Sequence, residues 1–160
     1  MAKINVIRNT QGGLNYLQNA LNYVGDDRAI NCSGYGVTPY DPAMAYDQML
    51  ATKQYFGKTS GNPLVHIVIA YNSSVKDTAT AASYGQQIAS YFASGFQVLY
   101  CTHAKDFTCG FYHTHLIINS VSFINGKMIQ TGYDEMKVFC DYVQRVTGQK
   151  CSFYFDNKSK

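Results

Sequence analysis

The sequence predicts a single α+β domain built on a central, largely antiparallel β-sheet flanked by helices. The chain has 160 residues, within the usual range of one domain, and 46% of them are hydrophobic, so it can bury a core without metals or disulfides. Strand-like and helical segments alternate along the whole chain, and no internal repeat or low-complexity segment interrupts them. We therefore expect residues 1–160 to form one domain, either alone or as the N-terminal part of a longer protein.

The first half of the chain gives strand and helix signals in turn. Residues 3–8 alternate as a short strand, and residues 14–24 place their leucines and a valine on one helical stripe. Asp41 and Pro42 supply an N-cap and a first helical residue, so a second helix begins there. Residues 64–71 form a dense run of β-branched side chains, which predicts a central strand.

The second half continues the mixture. The predicted elements are a helix at 77–92, strands at 96–103 and 112–123, a helix at 133–147 that ends at Gly148, and a strand at 152–155. Asn125 and Gly126 form a strong hairpin signal, so residues 127–130 are expected to pair back onto the preceding strand.

Charge and composition restrict the classes of function. Lys and Arg total 13 against 10 Asp and Glu, and only 14% of residues are charged, which excludes a charge-driven disordered segment. The net charge of +3 permits a nucleic-acid partner without indicating one, because the basic residues are scattered. The 14 tyrosines offer faces on which bases can stack. No signal peptide or run of ~18 apolar residues is present, so we expect a cytoplasmic protein without membrane insertion.

The cysteines are odd in number and widely spaced, with no CxxC pair. They are Cys32, Cys101, Cys109, Cys140 and Cys151. This pattern predicts reduced, buried thiols rather than a disulfide framework or a zinc knuckle. Cys101 and His103 share one face of a predicted strand and could form a nucleophile pair, but a buried cysteine is the commoner reason for such a residue.

Histidines provide the strongest chemical signal. His113 and His115 lie two residues apart on a predicted strand, so both point to one face, with Asn119 further along it. His103 ends the preceding strand, and the connection is short enough for the two strands to be antiparallel neighbours. Three neutral imidazoles with open remaining positions would bind a divalent ion able to hold a phosphate oxygen. His66, taken alone, is better interpreted as a buried core histidine.

Three segments together resemble a known family. QVLYCTHAKDFTCGFYHTHLIINSVSF resembles the third motif of the relaxases, or mobilisation nucleases, of the HUH endonuclease superfamily: a strand ending in His, a loop with Asp, then HxH, apolar residues and Asn. LVHIVIAYN resembles the family's strand that begins with His, and LQNALNYVGDDR resembles its first motif, a helix that carries the catalytic tyrosine. The similar segments run from Gly13 to about Cys151, and within the family the resemblance is to P-type relaxases of plasmids and integrative elements.

The resemblance implies a site- and strand-specific DNA nicking and rejoining enzyme that acts at a transfer origin of a conjugative or mobilisable element. A tyrosine attacks the phosphodiester and keeps the 5′ phosphate, and a bound divalent ion, Mg²⁺ or Mn²⁺ with Zn²⁺ as a further candidate, acts on that phosphate. Carried over to this chain, the nucleophile is Tyr23 with Tyr16 as the fallback, the metal ligands are His103, His113 and His115, and the supporting residues are Asn119, Asp106 and His66.

The implied partners are single-stranded DNA at the transfer origin, accessory relaxosome proteins and a coupling protein. The basic residues that often follow the family's tyrosine are reduced here to Asp26, Asp27 and Arg28. Two alternatives stay open: a non-catalytic relative that only binds single-stranded DNA, and a rolling-circle replication initiator with the same chemistry.

Overall fold

The computed structural model of the protein describes residues 1–9, 13–105 and 109–158. Within these ranges, helices and strands alternate along the chain. The elements are β1 (Ala2–Asn9), α1 (Gly13–Val24), β2 (Ala29–Tyr35), α2 (Pro42–Tyr55), β3 (Leu64–Ala70), α3 (Thr78–Ser90), β4 (Val98–His103), β5 (His113–Asn119), α4 (Tyr133–Thr147) and β6 (Cys151–Lys158). The predicted α+β fold class is confirmed.

The strands form one open sheet in the order β2-β4-β5-β3-β1-β6. Neighbouring strands are antiparallel except for β1 and β6, which pair in parallel from Ala2 opposite Cys151 onward. The prediction of a largely antiparallel sheet is therefore confirmed. The parallel pair brings strands from opposite ends of the chain together at one edge of the sheet.

Helices cover both faces of the sheet. On one face, the apolar side of α1 packs on the sheet together with α2. The cluster consists of Leu17 and Leu21 of α1, Met49 of α2, Leu99 of β4 and Ile117 of β5, among others. On the other face, α3 and α4 bury the larger core cluster, which includes Ile67, Ile88, Leu116, Phe139 and Val143. Because α1 and α2 lie over β4 and β5, a groove remains on their side over β3, β1 and β6.

Local sequence explains where the helices begin and end. The Asp41 side chain accepts a hydrogen bond from the Met44 amide at 3.1 Å, and Pro42 opens α2, as predicted. Asp77 caps α3 in the same way through the Thr80 amide at 2.7 Å. Gly148 ends α4 with φ of +68°, a backbone conformation that favours glycine.

Three features differ from the prediction. β2 is an additional strand, which the sequence does not predict because AINCSGY lacks an alternating β-branched pattern; it lies at the sheet edge and pairs with β4. The expected strand at 127–130 is reduced to one bridge between Val121 and Met128, around a turn in which Gly126 has φ of +72°. β5 ends at Asn119 because the Asn119 side chain accepts the Val121 amide at 3.2 Å and turns the chain.

The expectation of reduced cysteines is wrong for one pair. β2 places Cys32 directly opposite Cys101 of β4, with Cα atoms 4.1 Å apart, and the two sulfurs form a disulfide. Cys101 is buried, as expected, and its bonded sulfur rules out the alternative of a nucleophile beside His103. Cys140 is a buried thiol, as expected, whereas Cys109 and Cys151 are only half-buried.

Candidate metal centre and nucleophile

The structure brings His103, His113 and His115 together. His103 ends β4 and pairs in register with His113, the first residue of β5, while His115 follows on the same face. The ring centroids are 4.4 Å apart for His103 and His115 and 5.2 Å apart for the other two pairs. One nitrogen from each ring lies within 4.8 Å of the other two, so a single ion can contact all three rings.

Hydrogen bonds select the nitrogen that His103 can offer. Its Nε2 donates to the carbonyl oxygen of Val24 at 2.8 Å, at the end of α1. Its Nδ1 therefore carries a lone pair, and this buried atom has no hydrogen-bond partner among the described residues. A buried acceptor without a partner costs free energy unless an ion or water binds it. The environment of His103 thus fits a metal ligand.

The other two ligands are oriented by their own hydrogen bonds. The Nδ1–H of His113 donates to the Phe111 carbonyl at 2.9 Å, which leaves the lone pair on Nε2. Nδ1 of His115 lies 2.9 Å from Nε2 of His66 on β3. When His115 donates this hydrogen bond, its Nε2 carries the lone pair and can bind an ion. His66 is buried, as predicted, but it also contacts a metal-ligand candidate.

The protonation states suit metal binding. Burial, followed by the neighbouring imidazoles, lowers the pKa of His115 far below its usual value. Burial, and then His103, lowers the pKa of His66 to about 4. Both rings are therefore neutral at pH 7, which is the form in which imidazole binds metals. A set of three imidazoles fits Zn²⁺ or Mn²⁺ directly, and Mg²⁺ with additional oxygen ligands.

Tyr23 stands beside this centre. It lies in the last turn of α1 with 46% of its surface exposed, and its ring meets the His115 ring edge-on, with centroids 6.0 Å apart. An exposed phenol next to the imidazole cluster is accessible to a substrate. Tyr23, a nucleophile candidate, is thus in direct contact with His115, a metal-ligand candidate.

Tyr16 lies two turns earlier on α1, in a smaller pocket shared with His66 and Tyr23. Its hydroxyl is buried and has no hydrogen-bond partner among the described residues. Burial, and then the charge of Asp156, raises the pKa of Tyr16 to about 12, which disfavours the nucleophilic phenolate. Tyr16 thus differs from Tyr23, whose side chain is exposed beside the histidine cluster.

Asn119 lies at the opposite end of β5 from His113. Its Nδ2 donates to the Met49 carbonyl at 3.1 Å and to Gln97 Oε1 at 2.9 Å. Its Oδ1 accepts from Nζ of Lys53 at 2.6 Å. These bonds place Asn119 in a buried polar network beneath α2, apart from the histidine cluster. Asp106 lies outside the described residues.

Lys53 is a residue that the sequence analysis missed. Its side chain is 1% exposed, and Nζ donates to Pro63 O, Asn119 Oδ1 and Ser120 Oγ. Burial lowers the pKa of Lys53 to about 8. The signal in the sequence was its position four residues after the buried Met49, on the inner stripe of α2.

A groove leads from the histidine cluster across the open part of the sheet. Its lining combines aromatic, charged and polar side chains from four strands and α1. The sequence could not group these residues, because the pairing of β1 with β6 was not predicted. Beyond Tyr23 and the histidines, its lining includes Lys3, Asn5, Val68, Tyr154 and Asp156.

The fold is similar to one already solved. A structure described as the molecular basis of vancomycin resistance transfer in Staphylococcus aureus superposes with a TM-score of 0.63 and 10% sequence identity, and the match covers 100% of each chain. At this identity the likeness concerns the fold alone. A comparison with curated protein sequences found no significant match.

A sequence profile identifies the family. The profile described as "Relaxase: MobA/VirD2-like, nuclease domain" matches residues 16–149. The chain therefore belongs to the MobA/VirD2-like relaxase family, and the resemblance noted in its sequence is confirmed. Among the described residues, no helix combines the length and apolar character needed to cross a membrane.

Proposed function

We propose that this protein nicks and rejoins one DNA strand at the transfer origin of a conjugative or mobilisable element, through a 5′-phosphotyrosyl intermediate on Tyr23. The observation that carries the proposal is the contact between the exposed Tyr23 ring and His115, a member of the three-imidazole centre. Membership of the relaxase family supports the same activity.

The proposed metal ligands are Nδ1 of His103 and Nε2 of His113 and His115. When bound there, a divalent ion supplies positive charge that holds a non-bridging phosphate oxygen and stabilises charge developing during attack. The tautomer of His115 that can bind an ion donates its Nδ1–H to His66, so His66 has an orienting role.

The tyrosine performs the covalent step. The Tyr23 hydroxyl releases its proton to the solvent, and its oxygen attacks the phosphorus to form a new oxygen–phosphorus bond while the bond between phosphorus and the 3′ oxygen breaks. The 3′ oxygen leaves and takes up a proton, and the 5′ phosphate remains on Tyr23. Because one phosphate ester replaces another, the released 3′ hydroxyl can reverse the step and reseal the strand.

The proposed substrate is single-stranded DNA lying in the groove over β3, β1 and β6. Tyr154 is 52% exposed there and offers a stacking face, which is worth about 1–3 kcal/mol per base in such sites. Lys3 lines the same groove and can contact a phosphate. Stacking accounts for how a chain with a net charge of only +3 binds a single strand.

The cellular setting is part of the proposal. Residues 1–160 act as the nuclease domain, in the cytoplasm. Accessory relaxosome proteins and a coupling protein are the expected partners in the transfer of the nicked strand.

A covalent-adduct assay tests this function. Labelled single-stranded oligonucleotides tiled across a candidate transfer origin are incubated with the protein and Mn²⁺ or Mg²⁺, then separated on a denaturing protein gel. We expect an adduct that EDTA prevents, that Tyr23→Phe abolishes, and that the matched variant Tyr16→Phe retains.

Other outcomes identify the alternatives. Binding of metal and single strands with no adduct on any oligonucleotide indicates a non-catalytic relative. Adducts formed only with a replication origin indicate a rolling-circle initiator. An adduct that persists in Tyr23→Phe removes Tyr23 from the mechanism.

A further inference from the structure

We infer that Arg28, held in place by Asp26, is a positioning residue that fixes the ring of Tyr23 against His115 for attack on the phosphate. The inference rests on the proposed function, and it assigns a role to the turn that follows α1. In the sequence, this turn is a departure from the resemblance, because Arg28 is its single basic residue.

Asp26 holds the guanidinium group of Arg28 in a fixed orientation. Nε of Arg28 lies 3.2 Å from both carboxylate oxygens of Asp26, and Nη2 lies 2.9 Å from Oδ2. The Arg28 amide also donates to Oδ1 at 3.0 Å, so backbone and side chain of Arg28 are both bound to one carboxylate. A planar guanidinium bound in this forked manner retains little rotational freedom.

The pair is too exposed to serve mainly for stability. The Arg28 and Asp26 side chains are 25% and 37% exposed, and ion pairs at that exposure contribute little to folding. A contribution to folding stability therefore does not account for the fixed orientation of the Arg28 guanidinium. The hydrogen bond from Arg28 lowers the pKa of Asp26, so the carboxylate stays ionised and the pair stays intact near neutral pH.

The oriented guanidinium lies over the nucleophile candidate. Cζ of Arg28 is 4.6 Å from the centroid of the Tyr23 ring, within the range of a cation–π contact. The same ring meets His115 with its planes at 83°. Arg28 on one side and His115 on another thus restrict the Tyr23 ring, which is otherwise 46% exposed at a helix end.

Restricting an exposed phenol matters for the rate of attack. Reaction at phosphorus requires the oxygen to approach in line, and a displacement of about 1 Å can cost roughly 100-fold in rate. Without Arg28, the Tyr23 side chain samples rotamers directed away from the metal centre, while the strands that form the proposed DNA-binding groove and the histidines stay in place. The expected defect therefore lies in the chemical step and not in DNA affinity.

Single-turnover kinetics test this inference in the full chain. We expect Arg28→Ala to lower the rate of adduct formation at saturating oligonucleotide by roughly 10- to 100-fold, with the Kd for the oligonucleotide changed by less than about twofold. Asp26→Asn acts in the same direction, and adding it to Arg28→Ala causes no further loss because both act through one side chain.

A matched arginine serves as the control. Arg145 on α4 lies over the ring of Tyr142, with Cζ 5.9 Å from the centroid, away from the histidine cluster. We expect Arg145→Ala to cleave at the wild-type rate. Arg28→Lys keeps the charge but lacks the planar fork, so it is expected to restore little of the rate.

Two kinetic results would overturn the inference. A weaker Kd with an unchanged saturating rate would make Arg28 a phosphate contact. Full activity in Arg28→Lys would make its charge, and not its stacking geometry, the relevant property.

A spectroscopic readout separates this inference from the proposed function. Fluorotyrosine placed at position 23 reports its surroundings by ¹⁹F NMR whether or not the protein cleaves DNA. We expect its resonance to shift in Arg28→Ala and to stay unchanged in Arg145→Ala. Identical resonances in all three proteins would refute the positioning role, whereas a shifted resonance in a protein that forms no adduct would leave the contact intact and refute only the proposed function.

Discussion

The ring of Tyr23 meets the imidazole of His115 edge-on, with centroids 6.0 Å apart and planes at 83°. The tyrosine belongs to α1 and the histidine to the centre of the sheet, so this contact joins two layers of the fold. A hydrogen bond beside this ring contact joins the same two layers: Nε2 of His103 donates to the carbonyl oxygen of Val24, the residue after Tyr23. The end of α1 is thus fixed to two of the three metal-ligand candidates.

Removing one imidazole should remove the metal. We expect His103→Ala, His113→Ala or His115→Ala to lower the affinity for Mn²⁺ or Zn²⁺ by at least about 10- to 100-fold, because two imidazoles remain to hold the ion. Isothermal titration calorimetry and metal analysis after dialysis measure this. Gln18→Ala, at an exposed position of α1, is the control. Stoichiometric metal in all three histidine variants would place the ion elsewhere.

The metal-free protein should lose stability as the pH falls from about 6.5 to about 4. Burial holds the pKa of His66 at about 4 in the folded state, against 6.5 for an ordinary histidine. Between these values the unfolded chain binds the proton and the folded chain does not, so acid favours unfolding by about 1.4 kcal/mol per pH unit and per histidine.

Urea unfolding in EDTA across that pH range measures the slope. His66→Gln keeps a hydrogen-bonding side chain toward His115 but does not titrate, so we expect a shallower dependence. An equal slope in both proteins would show that His66 does not contribute.

Lys53 and Asn119 should prove structural. We expect Lys53→Met to reduce the free energy of unfolding by about 1–3 kcal/mol, because three buried oxygens each lose the hydrogen bond that Lys53 Nζ donates. The exposed Lys137→Met should change it by less than about 0.5 kcal/mol. At temperatures where Lys53→Met is folded, its rate of adduct formation should equal the wild-type rate. A folded variant with a clear rate defect would connect this network to the metal centre.

The disulfide can be counted directly. Under non-reducing, denaturing conditions we expect thiol reagents to modify Cys109, Cys140 and Cys151, and to modify Cys32 and Cys101 only after reduction. Cys32→Ser should lower the free energy of unfolding by about 2–4 kcal/mol under oxidising conditions. Without the disulfide, the loop between residues 32 and 101 is no longer closed in the unfolded chain, which therefore gains conformational entropy. Modification of all five residues without reductant would mean that the bond does not form in the isolated protein.

Much of the fold and the histidine cluster could be predicted because their signals are local. The period of the apolar residues predicted α1, and Gly148 predicted the end of α4, since few other residues adopt its backbone conformation. The two-residue spacing of His113 and His115 predicted their shared face, and a short connection predicted that His103 joins them.

The remaining features depend on pairings that sequence periodicity does not reveal. β2 carries small and polar residues at an edge of the sheet, so neither the strand nor the register that joins Cys32 to Cys101 was predicted. Asn119 was correctly predicted to lie on the same face of the strand as His113. Its separation from the histidine cluster, at the other end of β5, and its buried hydrogen bond with Lys53 were not predicted.

The parallel pairing of β1 with β6 affects how the protein acquires its groove during synthesis. Of the six strands, β1 is translated first, and the partner of its outer edge, Cys151–Lys158 of β6, is translated last. Tyr154 and Asp156 therefore join the groove after every histidine of the centre has been translated. The wall proposed to hold the DNA strand is therefore complete only once β6 has been translated, later than every histidine of the candidate metal centre.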